Sequence, residues 1–300
     1  MTYLTKEDWT NYLVPKISDD KSFFDNLKEN IKIQNNFIRL IHKILNTQKN
    51  SEKKLFQKIL TTSMIYFHKY ILFNNIIYSN LSSLDKLVIF CCCIFLAFKG
   101  ANKLIHINIL SEKFKPFFNK FQHFEIEDIK NLILKKEFDI LVSIEFNLAI
   151  DWPYNLLNLL KIYLTKIGKG NETIARIINY VNLNINDSIL FPLCLYYTPN
   201  EIVFSCILLA KKRYKLDFIN INDLIKLNNY EIDNDNINEC NLYISKIIKY
   251  KDNLIENNNI NDNRNIINNS NKISENNNYL DNNKDNLNLK NISLIKTNSN

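Results

Sequence analysis

Twelve consecutive residues, Leu87 to Phe98, are apolar without exception, and no other feature constrains this chain as strongly. As a helix the run is too short to cross a bilayer core of about 30 Å. A helix apolar on every side must instead be enclosed by other helices. Most of Ile202 to Ala210 has the same character. The two runs also resemble each other. Cys93-Ile-Phe-Leu-Ala-Phe-Lys99 and Cys206-Ile-Leu-Leu-Ala-Lys-Lys212 agree at five of seven positions, 113 residues apart. The pairing points to an internal duplication, with two helical domains that each wrap their neighbours around one central helix. Their boundary falls near Asp151-Trp152-Pro153, where Pro153 opens the first helix of the second domain.

The rest of the chain reads the same way. Phe37, Leu40, Ile41, Ile44 and Leu45 recur at helical spacing, as do Leu55, Ile59, Leu60, Ile65 and Phe67. Glu127 to Phe146 is a long periodic stretch, with apolar positions at Ile129, Leu132, Ile133, Phe138, Leu141 and Ile144. Leu156 to Ile167 continues the pattern and runs into Gly168. Ser82 with Asp85, and Thr198-Pro199-Asn200-Glu201, are helix starts. Pro192 predicts an early stop for the helix that precedes it. Asn228 to Asn238 reads as a loop. The last fifty residues hold 20 Asn with six positive and six negative charges, a composition that predicts a disordered tail. Hardly any segment alternates with period two, so the fold is all-α.

With 3 Gly and 5 Pro in 300 residues, glycine-rich nucleotide-binding loops are excluded and hairpin architectures disfavoured. Ala (5) and Arg (4) are equally scarce while Asn, Lys and Ile abound, the skew an AT-rich coding sequence produces. Residues 1–150 carry 21 Lys+Arg against 15 Asp+Glu, and residues 201–300 are neutral. That excess is too thin to favour direct nucleic-acid binding. Cys91, Cys92, Cys93, Cys194, Cys206 and Cys240 show no zinc spacing and read as buried small hydrophobes of a reduced protein. His42, His68, His106 and His123 lack paired-ligand spacing, and His68 reads as a structural residue. Lys211 to Lys215 closes the second central helix, where basic residues suit the dipole, although the run also fits an import patch. Nothing points to a membrane, a metal, a cofactor or a catalytic residue. The chain reads as a soluble cytosolic or nuclear protein.

Residues 30–220 resemble the cyclin family, which is built from two tandem boxes of five helices, each around a buried central helix. The matching elements are Ile65-Tyr-Phe-His-Lys-Tyr70, Phe95-Leu-Ala-Phe-Lys99, Ile133-Leu-Lys-Lys-Glu-Phe-Asp-Ile-Leu141 and Phe146-Asn-Leu148. In the second box they are Trp152-Pro-Tyr-Asn-Leu-Leu157, Asn186-Asp-Ser188 and Thr198-Pro199 ahead of Cys206-Ile-Leu-Leu-Ala210. The Tyr-Phe-His, Pro-Tyr and Asn-Asp-Ser elements are most similar to the transcription-type cyclins K, L, T and C. The resemblance implies an N-terminal segment (1–29), a first box (30–150), a second, more divergent box (151–252) and a low-complexity tail (253–300).

It also implies a non-catalytic regulatory subunit without a small-molecule substrate. Such a subunit forms a heterodimer with a cyclin-dependent kinase and presses the kinase αC helix into its active position. The role implied is transcription or RNA processing in the nucleus, with the cytoplasm as a second location. A cell-division cyclin, a TFIIB-like nucleic-acid adaptor and a kinase scaffold are the alternatives. The family's interface lysine and glutamate fall on Lys99 and Glu137, and its apolar kinase contacts on Leu96, Leu141, Phe146 and Leu148. Gly100-Ala101-Asn102 follows Lys99 where the family usually has an apolar residue and two glutamates. The substrate-docking patch of some cell-cycle cyclins is not recognisable around Phe37 to Leu45.

Overall fold

The structure is a computed structural model and describes residues 20–45, 50–150, 154–220, 223–224 and 233–253. The chain divides into two units, Met1–Ile248 and Lys249–Asn300, and everything below concerns the first. Its regular structure, among the described residues, is entirely helical. Helices α1 (Asp20–His42), α2 (Asn50–Phe73), α3 (Ser83–Gly100), α4 (Ile107–Phe118) and α5 (Ile126–Ser143) come first. Helices α6 (Asn155–Lys166), α7 (Asn171–Ser188), the single turn α8 (Leu193–Tyr196) and α9 (Pro199–Tyr214) follow. A last helix, α10, covers residues 234–248 of this unit.

The apolar run sits where its composition demands. All residues from Leu87 to Phe98 are buried in α3, with α1, α2, α4 and α5 packed around it. Each fully buried Leu, Ile or Phe there contributes roughly 1.5–3 kcal/mol relative to an exposed one. Helix α9 is the second centre, packed against α6, α7 and α8 and hydrogen-bonded to α10. Ser82 caps α3 by accepting from the Asp85 amide at 3.0 Å. Thr198 and Glu201 form the expected capping box on α9. Helix α7 ends at Ser188, ahead of Pro192, as that proline predicts.

Several expectations are corrected. The polar stretch 228–238 is not a loop throughout: α10 starts at 234, with Asp233 Oδ1 accepting from the Asp235 amide at 2.8 Å. Asp233 thus acts as a helix cap inside a segment too polar to show helical periodicity. Helix α5 stops at Ser143, so Phe146 is not helical. Phe138, one of the periodic apolar positions of that stretch, is 64% exposed. Helix α1 runs unbroken through residue 29, and Phe23 stacks on Phe191 with ring centroids 4.9 Å apart. Pro153 and the Asn-rich tail beyond 253 lie outside the described residues.

Helix ends explain how a chain so poor in glycine turns. Asn75, Asn102, Glu145 and Gly168 hold φ of +50°, +54°, +56° and +73° just past α2, α3, α5 and α6. At each, the next amide donates to the carbonyl five residues back, closing a left-handed cap. Asparagine tolerates this conformation better than other non-glycine residues, so the abundant residue replaces the scarce one.

The two helix groups meet along α2. Gln57 Nε2 donates to Asn186 Oδ1 at 2.8 Å, and the Tyr154 hydroxyl donates to the same oxygen at 2.6 Å. Further along α2, His68 Nε2 lies 3.2 Å from the Ile189 carbonyl oxygen. Burial pushes the His68 pKa down to about 4, so the ring is neutral and serves as a structural donor.

Candidate functional site

Three segments converge at the C-terminal end of α3. Helix α3 itself delivers Lys99 one residue before its end, close to the negative pole of the helix. Helix α5 packs beside it and supplies Glu137. Lys99 Nζ donates to Glu137 Oε1 at 2.5 Å and stands 4.2 Å from the centre of the Phe95 ring. The lysine side chain is 36% exposed and the glutamate 16%. The pair is therefore fixed from below by protein and open to a partner from above.

The third segment is the turn after α5. Glu145 and Phe146 are both left-handed, at φ +56° and +55°. For non-glycine residues this conformation costs roughly 1–2 kcal/mol each. Two hydrogen bonds back to α5 hold it: Glu145 N to Val142 O at 2.9 Å and Phe146 N to Leu141 O at 2.7 Å. Lys69 on α2 offers Glu145 a favourable charge, while burial holds the lysine pKa below its ordinary value. The turn throws Phe146 outward, 60% exposed, where it meets Phe138 edge-on at 6.0 Å. Leu134, one turn before Phe138, is 38% exposed and extends the same apolar ridge.

Beyond the turn the chain is pinned onto the end of α3. The Tyr66 hydroxyl donates to the Leu148 carbonyl at 2.9 Å, and its burial raises the phenol pKa. A Cβ on Gly100 would lie 2.9 Å from both the Leu148 oxygen and the Tyr66 hydroxyl. Gly100 is thus needed for the close approach of another backbone, at a φ that any residue could adopt.

Of the six residues expected to meet a partner, Lys99 and Glu137 are brought into direct contact. Phe146 stands exposed, and Leu141 and Leu148 are half-buried against the α3 core. Leu96 is 0% exposed, so it supports this face from beneath and offers it no surface. Phe138 and Leu134 belong to the face and were not singled out for it. Their signal was a stripe on α5 too wide for one buried face: Ile129, Ile133 and Ile140 already fill the core side. The thiols of Cys91, Cys92 and Cys93 lie beneath, their pKa values pushed up by burial, which makes them inert filling.

No family model and no curated protein matches the sequence. Solved structures do match. The chain is similar to a chain of the yeast TFIIK (Kin28/Ccl1/Tfb3) complex, with a TM-score of 0.52 and 20% identity, over 81% of this chain and 96% of that one. It is also similar to a chain of the yeast RNA polymerase II CTD kinase complex CTDK-1, with a TM-score of 0.58 and 12% identity, over 81% and 72% respectively. The fold is all-α with two buried central helices. It is the cyclin fold.

Proposed function

We propose that this protein is a cyclin: a regulatory subunit that binds a cyclin-dependent kinase and stabilises its active conformation. The observation that carries the reading is the Lys99–Glu137 pair, seated at the end of the central helix and flanked by the exposed Phe138–Phe146 edge. A fixed ion pair beside apolar surface suits a partner helix, whose backbone groups the charges can bind and whose side chains the ridge can cover. Glu137, Phe138, Leu141, Phe146 and Leu148 form the contact surface with Lys99, and Leu96 supports it. The chain itself carries no catalytic group in this reading; ATP and phosphoryl transfer belong to the kinase. Similarity to chains of TFIIK and of a CTD kinase favours a role in transcription and residence in the nucleus. Residues 30–150 and 151–252 are the two boxes, with the helical residues 20–29 continuing the first.

The test is to purify the tagged full-length chain and identify what comes with it, then assay that kinase on a CTD-repeat peptide with and without the chain. The expected outcome is a cyclin-dependent kinase whose activity depends on this protein. Recovery of no kinase sinks the partner assignment. A kinase bound but not activated leaves a scaffold.

A further inference from the structure

The repeat that relates the two central helices places Lys212 of α9 where Lys99 stands in α3. In the first group the neighbouring helix α5 answers the lysine with a carboxylate. In the second, the neighbouring helix α10 faces a cleft of about 500 Å³ with Asn238 and Asn241. The amide of Asn241 is already engaged, donating to the Ser205 carbonyl at 2.9 Å. Lys211 also borders the cleft, and its ammonium is satisfied by the Ile219 carbonyl at 2.9 Å. Lys212 and Lys215 are different. Both are exposed, both line the cleft, and among the described residues neither has a carboxylate within 4.0 Å. Asp217 borders the cleft without pairing with either.

Lys212 in the last turn of α9 and Lys215, the left-handed residue at φ +51° that caps it, border the same cleft, so the two ammonium groups can converge on a single anion. Their combined charge matches that of a phosphoryl group, about −1.5 to −2 at neutral pH. We propose that this cleft docks a phosphorylated peptide segment of a partner protein, its phosphate between Lys212 and Lys215. Asn238 is placed to hydrogen-bond the flanking peptide backbone, and Leu208 gives the cleft an apolar floor. A nucleic acid fits less well, because the carboxylate of Asp217 also lines the cleft and residues 201–250 carry no net charge. The proposal is independent of the kinase reading, since no residue of the Lys99 face lines this cleft.

The experiment uses the full-length chain and three fluorescent peptide libraries, randomised around a fixed central phosphoserine, serine or glutamate, with a uridine decamer as a fourth probe. Anisotropy is expected to show the phosphoserine library binding about tenfold more tightly than the serine library, through charge-assisted hydrogen bonds. Lys212→Glu with Lys215→Glu should remove that preference without changing the melting temperature, as both side chains are exposed. Lys99→Glu should leave it intact. The proposal is overturned by the absence of a preference, by a preference that survives the double reversal, by equal binding of the glutamate library, or by tighter binding of the RNA.

Discussion

Helices α3 and α9 occupy equivalent places in their groups, yet they are held by different forces. From Leu87 to Phe98 the buried surface of α3 contains no charged residue and no hydroxyl, and four helices enclose it. Helix α9 buries Glu201 and Ser205 among its apolar residues. Glu201 accepts from the Thr198 amide at 2.7 Å and from Asn236 Nδ2 at 2.8 Å, and Ser205 donates to the Ile237 carbonyl at 2.8 Å. Hydrophobic enclosure is non-directional, whereas buried hydrogen bonds fix one register between α9 and α10. The ends differ accordingly. Helix α3 finishes in a lysine neutralised within the fold, and α9 in lysines left for solvent or a partner. Charge reversal at the two equivalent lysines separates these roles most strongly. Lys99→Glu should weaken kinase capture about 100-fold, because it sets two carboxylates together at a desolvated contact. Lys212→Glu should change kinase capture less than about twofold, as expected of an exposed charge outside the proposed contact surface. Titration of the purified kinase subunit against each variant measures both. Equal losses would erase the distinction between the two ends.

The joint between the groups is expected to show the next largest effect, and it is set by pH. Folded His68 has a pKa of about 4, below the ordinary value near 6.5. Between those values the unfolded chain binds a proton that the folded chain refuses. Stability is therefore full above about pH 6.5 and declines as the pH falls towards 4, by about 3 kcal/mol in total. Melting curves from pH 7.5 to 5 should show this decline, and His68→Gln should flatten it. Parallel curves for the two proteins would remove His68 as the source and leave the joint without its acid-labile element.

Much of this was legible in the chain. An unbroken apolar run can only be a buried helix, so α3 and its enclosure followed from Leu87 to Phe98 alone. Thr198 with Glu201 located the start of α9, because a cap is a local device written in four residues. Lys99 and Glu137 lie 38 positions apart, and their pairing became legible only through the family resemblance. Two things were hidden. Apolar periodicity cannot say which of two apolar faces on α5 is outward, so it left open that Phe138 faces solvent. Capping by Asp233 left no periodic trace, so the start of α10 was read as loop.

A smaller effect tests how closely the first group is packed at its end. Gly100 and Arg213 are equivalent under the repeat. Gly100→Ala places a methyl group 2.9 Å from the Leu148 oxygen and the Tyr66 hydroxyl. Overpacking of this kind destabilises by about 1–3 kcal/mol. Arg213 is exposed, with its guanidinium 5.3 Å from the Tyr180 ring. Arg213→Ala should therefore stay within about 1 kcal/mol, the scale of an exposed cation–π contact. Urea unfolding of both variants makes the comparison, and similar midpoints would show the two ends to be packed alike.

The finest test concerns a single hydroxyl. Tyr66→Phe keeps the ring in the core and removes the donor to the Leu148 carbonyl. Loss of one such bond destabilises by about 1 kcal/mol. That is less than Gly100→Ala can produce, because nothing is forced apart. Its consequence for the contact surface is more specific than its size. Leu148 is carried by a segment that the Tyr66 hydroxyl ties to α2 beside Gly100, so releasing that bond frees Leu148 while Lys99 and Glu137 keep their contact. Kinase affinity should fall by a few fold, with the salt dependence of binding unchanged because the charges stay in place. A variant that loses stability but binds with unaltered affinity would place Leu148 outside the contact and confine the partner to the ion pair and the Phe138–Phe146 ridge.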